Sequence, residues 1–259
     1  EQVIPAIGCT EPICVALAVS RATEELGCRP QRIMARLSAN ILKNAMGVGI
    51  PGTGMVGLPI AIALGAIVGK SAYGLEVLRD STPDYVKEGQ RYIDEQHISI
   101  SLAENAPSKL YVDITVFDAD GREARAVIAE QHTNFILVSR GSEVLIDKTM
   151  DGGEENTEKK EEVLQLNMRK VFDYATTSPL DELEFINEAK RLNENAAARS
   201  LEGNYGHCLG KVLSRPLGRG IMGESIFSHI LSSTSCACDA RMAGAMIPVI
   251  SYSGSGNQG

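Results

Sequence analysis

Five strand-like segments follow one another between residues 97 and 148, and this run most restricts the folds open to the chain. They read HISISL, KLYVDITVF, EARAVIAEQ, NFILVS and EVLID, and they are rich in β-branched and aromatic residues. Asp120-Gly121, between the second and third segments, is a typical hairpin turn. Because helix-like stretches lie before and after the run, the pattern predicts an α+β fold with a small antiparallel β unit inserted into a helix-rich chain.

Helix signals occur on both sides of this run. They are prolines and glycines where helices begin or end: Pro12, Gly27, Pro59, Gly69, Pro83 and Pro179. The stretch QRIMARLSAN alternates weakly and suggests one further short strand. We therefore expect residues 1–96 and 149–259 to form one discontinuous helix-rich domain, with residues 97–148 as the inserted β-rich unit.

Charge and composition exclude several classes of partner. The formal net charge of −8 argues against a nucleic-acid-binding surface. The longest apolar stretch, residues 55–68, is too short for a bilayer span and contains Pro59, so no membrane partner is expected. Six scattered cysteines without a secretory signal fit reduced thiols in the cytoplasm. A first residue that is not Met and a final stretch, SYSGSGNQG, that stops within a glycine-rich turn indicate a fragment.

Cys9 is the first candidate for chemistry, because it directly precedes a predicted helix. The helix dipole favours a thiolate there by about 1 kcal/mol, which leaves a thiol of pKa about 8.5 mostly protonated at neutral pH. A bound metal would ionise it outright. From these residues alone Cys9 is either a small apolar packing residue, the commoner case, or a metal ligand.

The stretch GTGMVG at residues 52–57 matches the glycine pattern of dinucleotide-binding loops. Pro51 stands where a buried parallel strand should end, and no alternation of strands and helices surrounds the motif, so a nicotinamide site is not favoured. Two interpretations stay open. The glycines either let backbone N–H groups approach an anion such as a carboxylate, or they allow close packing of helices.

Three segments together resemble one family. GCTEP, KNAMGVGIPGTGMVGLPIAIALGA and DARMAGAMIPVISYSGSGNQG strongly resemble the L-cysteine desulfidase family, which is related to the alpha chain of iron–sulfur L-serine dehydratases. QHTN and GLEVL are similar too, and the resemblance extends from about Gln2 to Gly259. It implies a lyase that eliminates hydrogen sulfide from L-cysteine and yields pyruvate and ammonia without pyridoxal phosphate.

The resemblance also implies a [4Fe–4S] cluster that is held by three cysteines and keeps one iron open to act on the leaving group. The cysteine of the GCTEP motif is Cys9, which is therefore expected to be a ligand. The family's other two ligands would lie beyond Gly259, so the isolated chain is expected to be inactive. Cys236 and Cys238 stand where similar sequences carry small residues, and we do not expect them to be ligands.

The remaining site candidates fall into two groups. His132 is the expected general base, and Lys43 could clamp the substrate carboxylate. The candidates for binding the amino acid are Asn40, Asn44, Gly52, Thr53, Gly54, Asn134, Ser255 and Asn257.

Two alternative functions remain: an iron–sulfur L-serine dehydratase, and a non-catalytic module that binds an amino acid. A homodimer is the expected assembly.

Overall fold

The computed structural model describes residues 3–148 and 167–252. The strands are β1 Val3–Ile7, β2 Arg32–Leu37, β3 Ile98–Leu102, β4 Tyr111–Phe117, β5 Glu123–Ala129, β6 Phe135–Arg140, β7 Glu143–Asp147 and β8 Pro248–Tyr252. The α-helices are α1 Thr10–Leu26, α2 Ala39–Ala45, α3 Leu58–Ile67, α4 Pro83–Asp94, α5 Met168–Thr177, α6 Glu184–Glu202, α7 Leu209–Ser214, α8 Pro216–Met222 and α9 Ile226–Met242. Short 3-10 helices cover Ser71–Glu76 and Leu180–Leu183.

A mixed sheet in the order β3-β2-β4-β5-β6-β7 forms one side of the molecule. β2 alternates between exposed and buried residues, so that Ile33, Ala35 and Leu37 point into the core. β2 is antiparallel to β4 but parallel to β3, which the chain reaches only after α2, α3 and α4. That long connection is what a parallel pair requires.

Helix α1 lies in the middle of the molecule. It contacts β4 and β5 on one side and α3 on the other, and its buried residues face both directions. Residues 12–20 of α1 are buried without a break, which is expected of a helix segment that neighbours cover on all sides. Gly27 ends α1 in the left-handed conformation, with φ of 75°, so that the chain can turn into β2.

A second, smaller core lies among α6, α9 and β8. Its buried residues are Ala196, Ala240, Ala245, Ile247 and Val249. β8 pairs with β1, which joins residues 248–252 to residues 3–7. The N-terminus of α1 therefore lies close to the polypeptide that follows α9.

The α+β class predicted from the sequence is confirmed, and so are the five strands between residues 97 and 148. The sheet differs from the prediction in two respects, since it is not wholly antiparallel and it takes β2 from outside residues 97–148. The division into two domains stays a prediction. Across residues 3–148 and 167–252, no helix combines the length and the apolar character that a bilayer span requires.

Candidate active site

The candidate site is built around the turn that leads from β1 into α1. Gly8 has a φ of 81°, and a Cβ atom there would lie 2.4 Å from Cγ of Pro51. Both the left-handed backbone and the close approach require glycine at this position. The GCTEP segment and the glycine-rich loop after α2 are thereby brought into contact.

Cys9 occupies the N-cap position of α1 and is 5% exposed. Its Sγ does not cap the helix but donates a hydrogen bond of 2.9 Å to Oε2 of Glu11. Burial raises the pKa of the Cys9 thiol to about 12, and the Glu11 carboxylate contributes to the rise. Cys9 is therefore a protonated donor at neutral pH.

Glu11 is the residue on which the contacts of this site converge. Besides Cys9, Oγ1 of Thr10 donates to Oε2 at 3.2 Å, and Nδ2 of Asn44 donates to Oε1 at 3.3 Å. Burial favours a raised pKa for Glu11, but the hydrogen bonds from its neighbours and the charge of His132 outweigh burial and lower it. Glu11 is therefore ionised and oriented at neutral pH.

His132 approaches from the turn between β5 and β6, and Arg241 from the last turn of α9. Burial lowers the pKa of His132, and the charge of Arg241 adds to this effect, whereas the Glu11 carboxylate opposes it. His132 is therefore a neutral imidazole at pH 7. Arg241 is 4% exposed, and its Nε donates to the carbonyl oxygen of Gly8 at 3.1 Å.

The glycine-rich loop and the turn after α9 pack backbone against backbone. The Gly49 amide donates to the Met242 carbonyl at 2.9 Å, and the Gly52 amide donates to the Gly244 carbonyl at 3.1 Å. A Cβ atom on Gly49 would lie 2.4 Å from the backbone of Ala243. This packing accounts for Gly49, which precedes GTGMVG, and it engages the Gly52 amide, whereas both interpretations of the motif as a whole stay open.

The structure places the other predicted residues at varying distances from Glu11. Asn44 contacts Glu11, whereas Asn40 and Lys43 are exposed on α2. Thr53 stabilises its own loop, since its Oγ1 donates to the Ile50 carbonyl at 2.7 Å and accepts from the Met55 amide at 2.9 Å.

Asn134 shapes the His132 turn. Its Nδ2 donates to the Ala129 carbonyl at 3.1 Å, and its Oδ1 accepts from Nζ of Lys148 at 3.2 Å. Gly52 and Gly54 lie exposed on the glycine-rich loop. Ser255 and Asn257 fall outside the described residues.

Sequence reasoning missed Glu11 and Arg241 as site residues. Glu11 stands within GCTEP, so a carboxylate two residues after Cys9 was an available signal. Arg241 offered a weaker one, as a single charge among small and apolar residues in ARMAGAMIPV. Its contact with Gly8 spans 233 positions of sequence, and no local pattern reveals a contact of that kind.

The side chains around Cys9 can be compared with those that the implied iron–sulfur cluster would need. Among residues 3–148 and 167–252, no three His, Cys, Asp or Glu side chains are grouped closely enough to hold a metal ion. Cys9 is one thiol and cannot by itself supply a three-cysteine attachment. The described residues therefore do not fit a [4Fe–4S] cluster on their own.

Comparison with known proteins identifies relatives along the whole chain. The profile of the family described as serine dehydratase alpha chain matches residues 72–259. A UPF0597 protein of Bacteroides fragilis is 62% identical over 259 residues, which are 100% of this chain and 60% of that protein.

UPF0597 proteins of two other bacteria match over the full chain as well. The one from Phocaeicola vulgatus is 63% identical, with 59% of its length covered, and the one from Oleidesulfovibrio alaskensis is 40% identical, with 60% covered. The chain thus spans about 60% of the length of the curated relatives it matches. No solved structure matches it.

Proposed function

Because the chain belongs to the serine dehydratase alpha-chain family, we propose that it is part of a lyase that eliminates the β-substituent of a small L-amino acid. The proposed substrate is L-cysteine, which loses hydrogen sulfide. The aminoacrylate that remains tautomerises to an imine, and water hydrolyses the imine to pyruvate and ammonia. L-serine, which would lose water, is the alternative substrate and accords with the family's description.

The observation that carries the proposal is that the turn between β5 and β6 brings the half-buried imidazole of His132 within electrostatic reach of Glu11, in the first turn of α1. Elimination requires a base for the α-proton, and a base works best when its pKa lies near the working pH. Burial keeps His132 unprotonated, and the ionised Glu11 carboxylate favours the imidazolium that forms after proton transfer. These properties support His132 as the residue that accepts the α-proton.

Cys9 remains the proposed first ligand of a [4Fe–4S] cluster, whose other ligands would have to come from outside the described residues. The proton transfer assigned to His132 does not depend on that cluster. Asn44 and Asn134 are proposed to act through other groups, since Asn44 orients Glu11 and Asn134 shapes the His132 turn. Lys43 is exposed on α2, and its role as the carboxylate clamp stays a prediction.

The test is an anaerobic assay of the full-length protein with L-cysteine and with L-serine, in which pyruvate and sulfide are measured. We expect His132→Gln to lower kcat by about 10²- to 10⁴-fold, the usual contribution of a general base. Cys9→Ala should abolish both activity and the visible absorbance of the cluster. Faster pyruvate release from L-serine would establish the dehydratase instead.

Cys28→Ala is the matched control, because Cys28 is exposed at the end of α1 and touches none of the site residues described above. It should retain wild-type absorbance and kcat. A His132→Gln variant with wild-type kcat would remove His132 as the base. Full absorbance in Cys9→Ala would remove Cys9 as a ligand.

A further inference from the structure

We infer that a groove formed by α6, α7, α8 and α9 is the docking surface for the part of the full-length protein that this chain does not span. That part would place apolar side chains in the groove. The inference goes beyond the proposed reaction and does not depend on it.

The groove has two adjoining parts. The part between α6 and α9 has a volume of about 550 Å³. The part bordered by α7, α8 and the N-terminal end of α9 has a volume of about 620 Å³. The two parts are continuous, because Leu201, His229 and Ser233 line both of them.

The side chains that line the groove indicate what kind of occupant fits. Exposed large apolar side chains line it, and they are Ile186, Leu201 and Ile226. Its charged side chains already form ion pairs within the chain, Lys190 with Glu194 and Arg219 with Glu224. The groove therefore favours an apolar occupant over one that brings counter-charges.

The helices around the groove lack a covered face. α7 buries only Gly210, and α8 buries only Gly218. Helices of six or seven residues are not stable in water without tertiary packing. Among the described residues, sixteen of the twenty-three exposed large apolar side chains lie between Met168 and Ile230. We therefore expect polypeptide from outside the described residues to cover these helices.

The relatives contain enough additional polypeptide to do so. The match with the Bacteroides fragilis protein is as long as this chain, so the rest of that protein lies before or after the matched stretch. Since 259 residues are 60% of that protein, about 170 of its residues have no counterpart here, which is the size of a domain. We expect the full-length form of this chain to carry a segment of similar length.

The pairing of β1 with β8 places such a segment beside the groove. Val3 lies opposite Tyr252, so the polypeptide leaves the described residues at one place in either direction. Val249 of β8 lines the groove, and Tyr252 lies only about 10 Å farther along the strand. An additional segment at either end therefore starts close to the groove.

Covalent attachment favours this segment over a second copy of the chain. A segment attached through a short connection has an effective concentration in the millimolar range. At a micromolar protein concentration it is therefore in about 1,000-fold excess over a second copy. A second copy can compete for the groove only where the attached segment is missing.

The experiment measures how fast a maleimide labels an introduced cysteine in each part of the groove, Ile186→Cys and Ile226→Cys. These positions are 50% and 81% exposed in the 259-residue chain. In that chain, kept dilute enough to remain monomeric, both cysteines should react about as fast as the exposed Cys28. In the full-length protein both should react at least about 100-fold more slowly, because the reagent reaches them only when the docked segment opens.

Leu102→Cys on β3 is the matched control, since Leu102 is 51% exposed and lies outside the groove. Leu102→Cys and the native Cys28 should react at the same rate in both forms of the protein. If they slow down as much as the groove positions do, the shielding is not specific to the groove and the inference is wrong.

Three further results would overturn the inference. The first is equal labelling of Ile186→Cys and Ile226→Cys in the two forms, which would show that the groove stays open. The second is protection in the full-length protein that disappears on dilution, which would assign the groove to a second copy. The third is a native chain of 259 residues. If one groove variant does not fold, the other still reports on the same continuous groove.

Discussion

At the scale of single residues, the burial of His132 links the candidate site to stability. Its imidazole sits in the turn between β5 and β6, and burial lowers its pKa below the usual value of 6.5. The unfolded chain therefore binds a proton at His132 at pH values where the folded chain does not. The free energy of unfolding must then rise with pH through this window.

We expect the folded state to lose stability as the pH falls from about 7 through the usual pKa of histidine, with a slope of at most about 1.4 kcal/mol per pH unit from His132. His132→Gln should flatten that slope, which urea denaturation at several pH values would measure. The pKa of Glu11 is lowered as well. The stability that Glu11 contributes is lost only in more acidic solution, as the pH falls below 4.5, the usual pKa of a glutamate. Stability that falls equally in wild type and His132→Gln would contradict this account, and exposed His229→Gln is the control.

The residues of the site differ in how far the sequence could predict them. Cys9 and His132 lie in short motifs, GCTEP and QHTN, that can be recognised locally. The sequence shows Glu11 but not its role, because that role depends on its contacts with Cys9 and Asn44. The role of Arg241 could not be predicted from the sequence, because its contact with Gly8 joins residues 233 positions apart and depends on the completed fold.

At the scale of elements, the crossing of α1 and α3 depends on a missing side chain. A Cβ atom on Gly65 of α3 would lie 2.7 Å from the carbonyl oxygen of Ala16 and 3.1 Å from its Cα. The obstacle is backbone rather than a flexible side chain, so the two helices would have to move apart. Because α1 also packs against the sheet, that movement would disturb the central layer of the molecule.

Gly65→Ala should therefore destabilise the protein by about 1–2 kcal/mol. A clash with backbone puts the overpacking cost in the upper part of the usual range, about 2–3 kcal/mol, and the gain in helix propensity offsets about 1 kcal/mol of it. Chemical denaturation would measure the change. Gly220→Ala in α8 is the matched control, since its new methyl group would meet no atom within 4 Å. That control should be neutral or stabilising by up to about 1 kcal/mol. A Gly65→Ala variant as stable as wild type would show that the crossing can relax.

The elements themselves were largely predictable, because composition and turn residues act locally. The five strands from residue 98 to residue 147 and the start of α4 at Pro83 follow from such signals. β1 and β8 could not be predicted from local signals, because each has only five residues and pairs with the other across most of the sequence. The helix predicted from Ser178-Pro179 begins instead as the 3-10 helix Leu180–Leu183 and continues as α6.

At the scale of the whole molecule, large apolar side chains are exposed mainly on α5 to α9. The most exposed are Met168, Leu180, Leu217, Ile221 and Ile226, each at least 75% accessible. A groove of about 550 Å³ between α6 and α9 is lined by Ile186, Ala189, Ala197 and Leu201, among others. Apolar surface of this extent is uncommon on proteins that act as monomers.

We expect the 259-residue chain to self-associate at micromolar concentration through this surface. Leu217→Lys combined with Ile221→Lys places two charges on one face of α8 and should shift the chain toward monomer in sedimentation velocity. Leu102→Lys, on the edge strand β3, alters an equally apolar residue far from α8 in the sequence and serves as the control. A monomer in wild type, or equal effects of both changes, would contradict the assignment of the surface. The predicted homodimer of the native protein stays a prediction.

The pairing of β1 with β8 also determines at which stage of protein synthesis the candidate site can form. Val3 lies opposite Tyr252, and Arg241 reaches back to Gly8, so both halves of the site come from opposite ends of the described chain. A ribosome releases the Cys9 segment early and the Arg241 segment more than 200 residues later. Throughout that interval the N-terminal segment has neither its strand partner β8 nor its contact with Arg241. The arrangement of Gly8, Cys9 and Glu11 that the structure shows can therefore form only after residues 241–252 have left the ribosome.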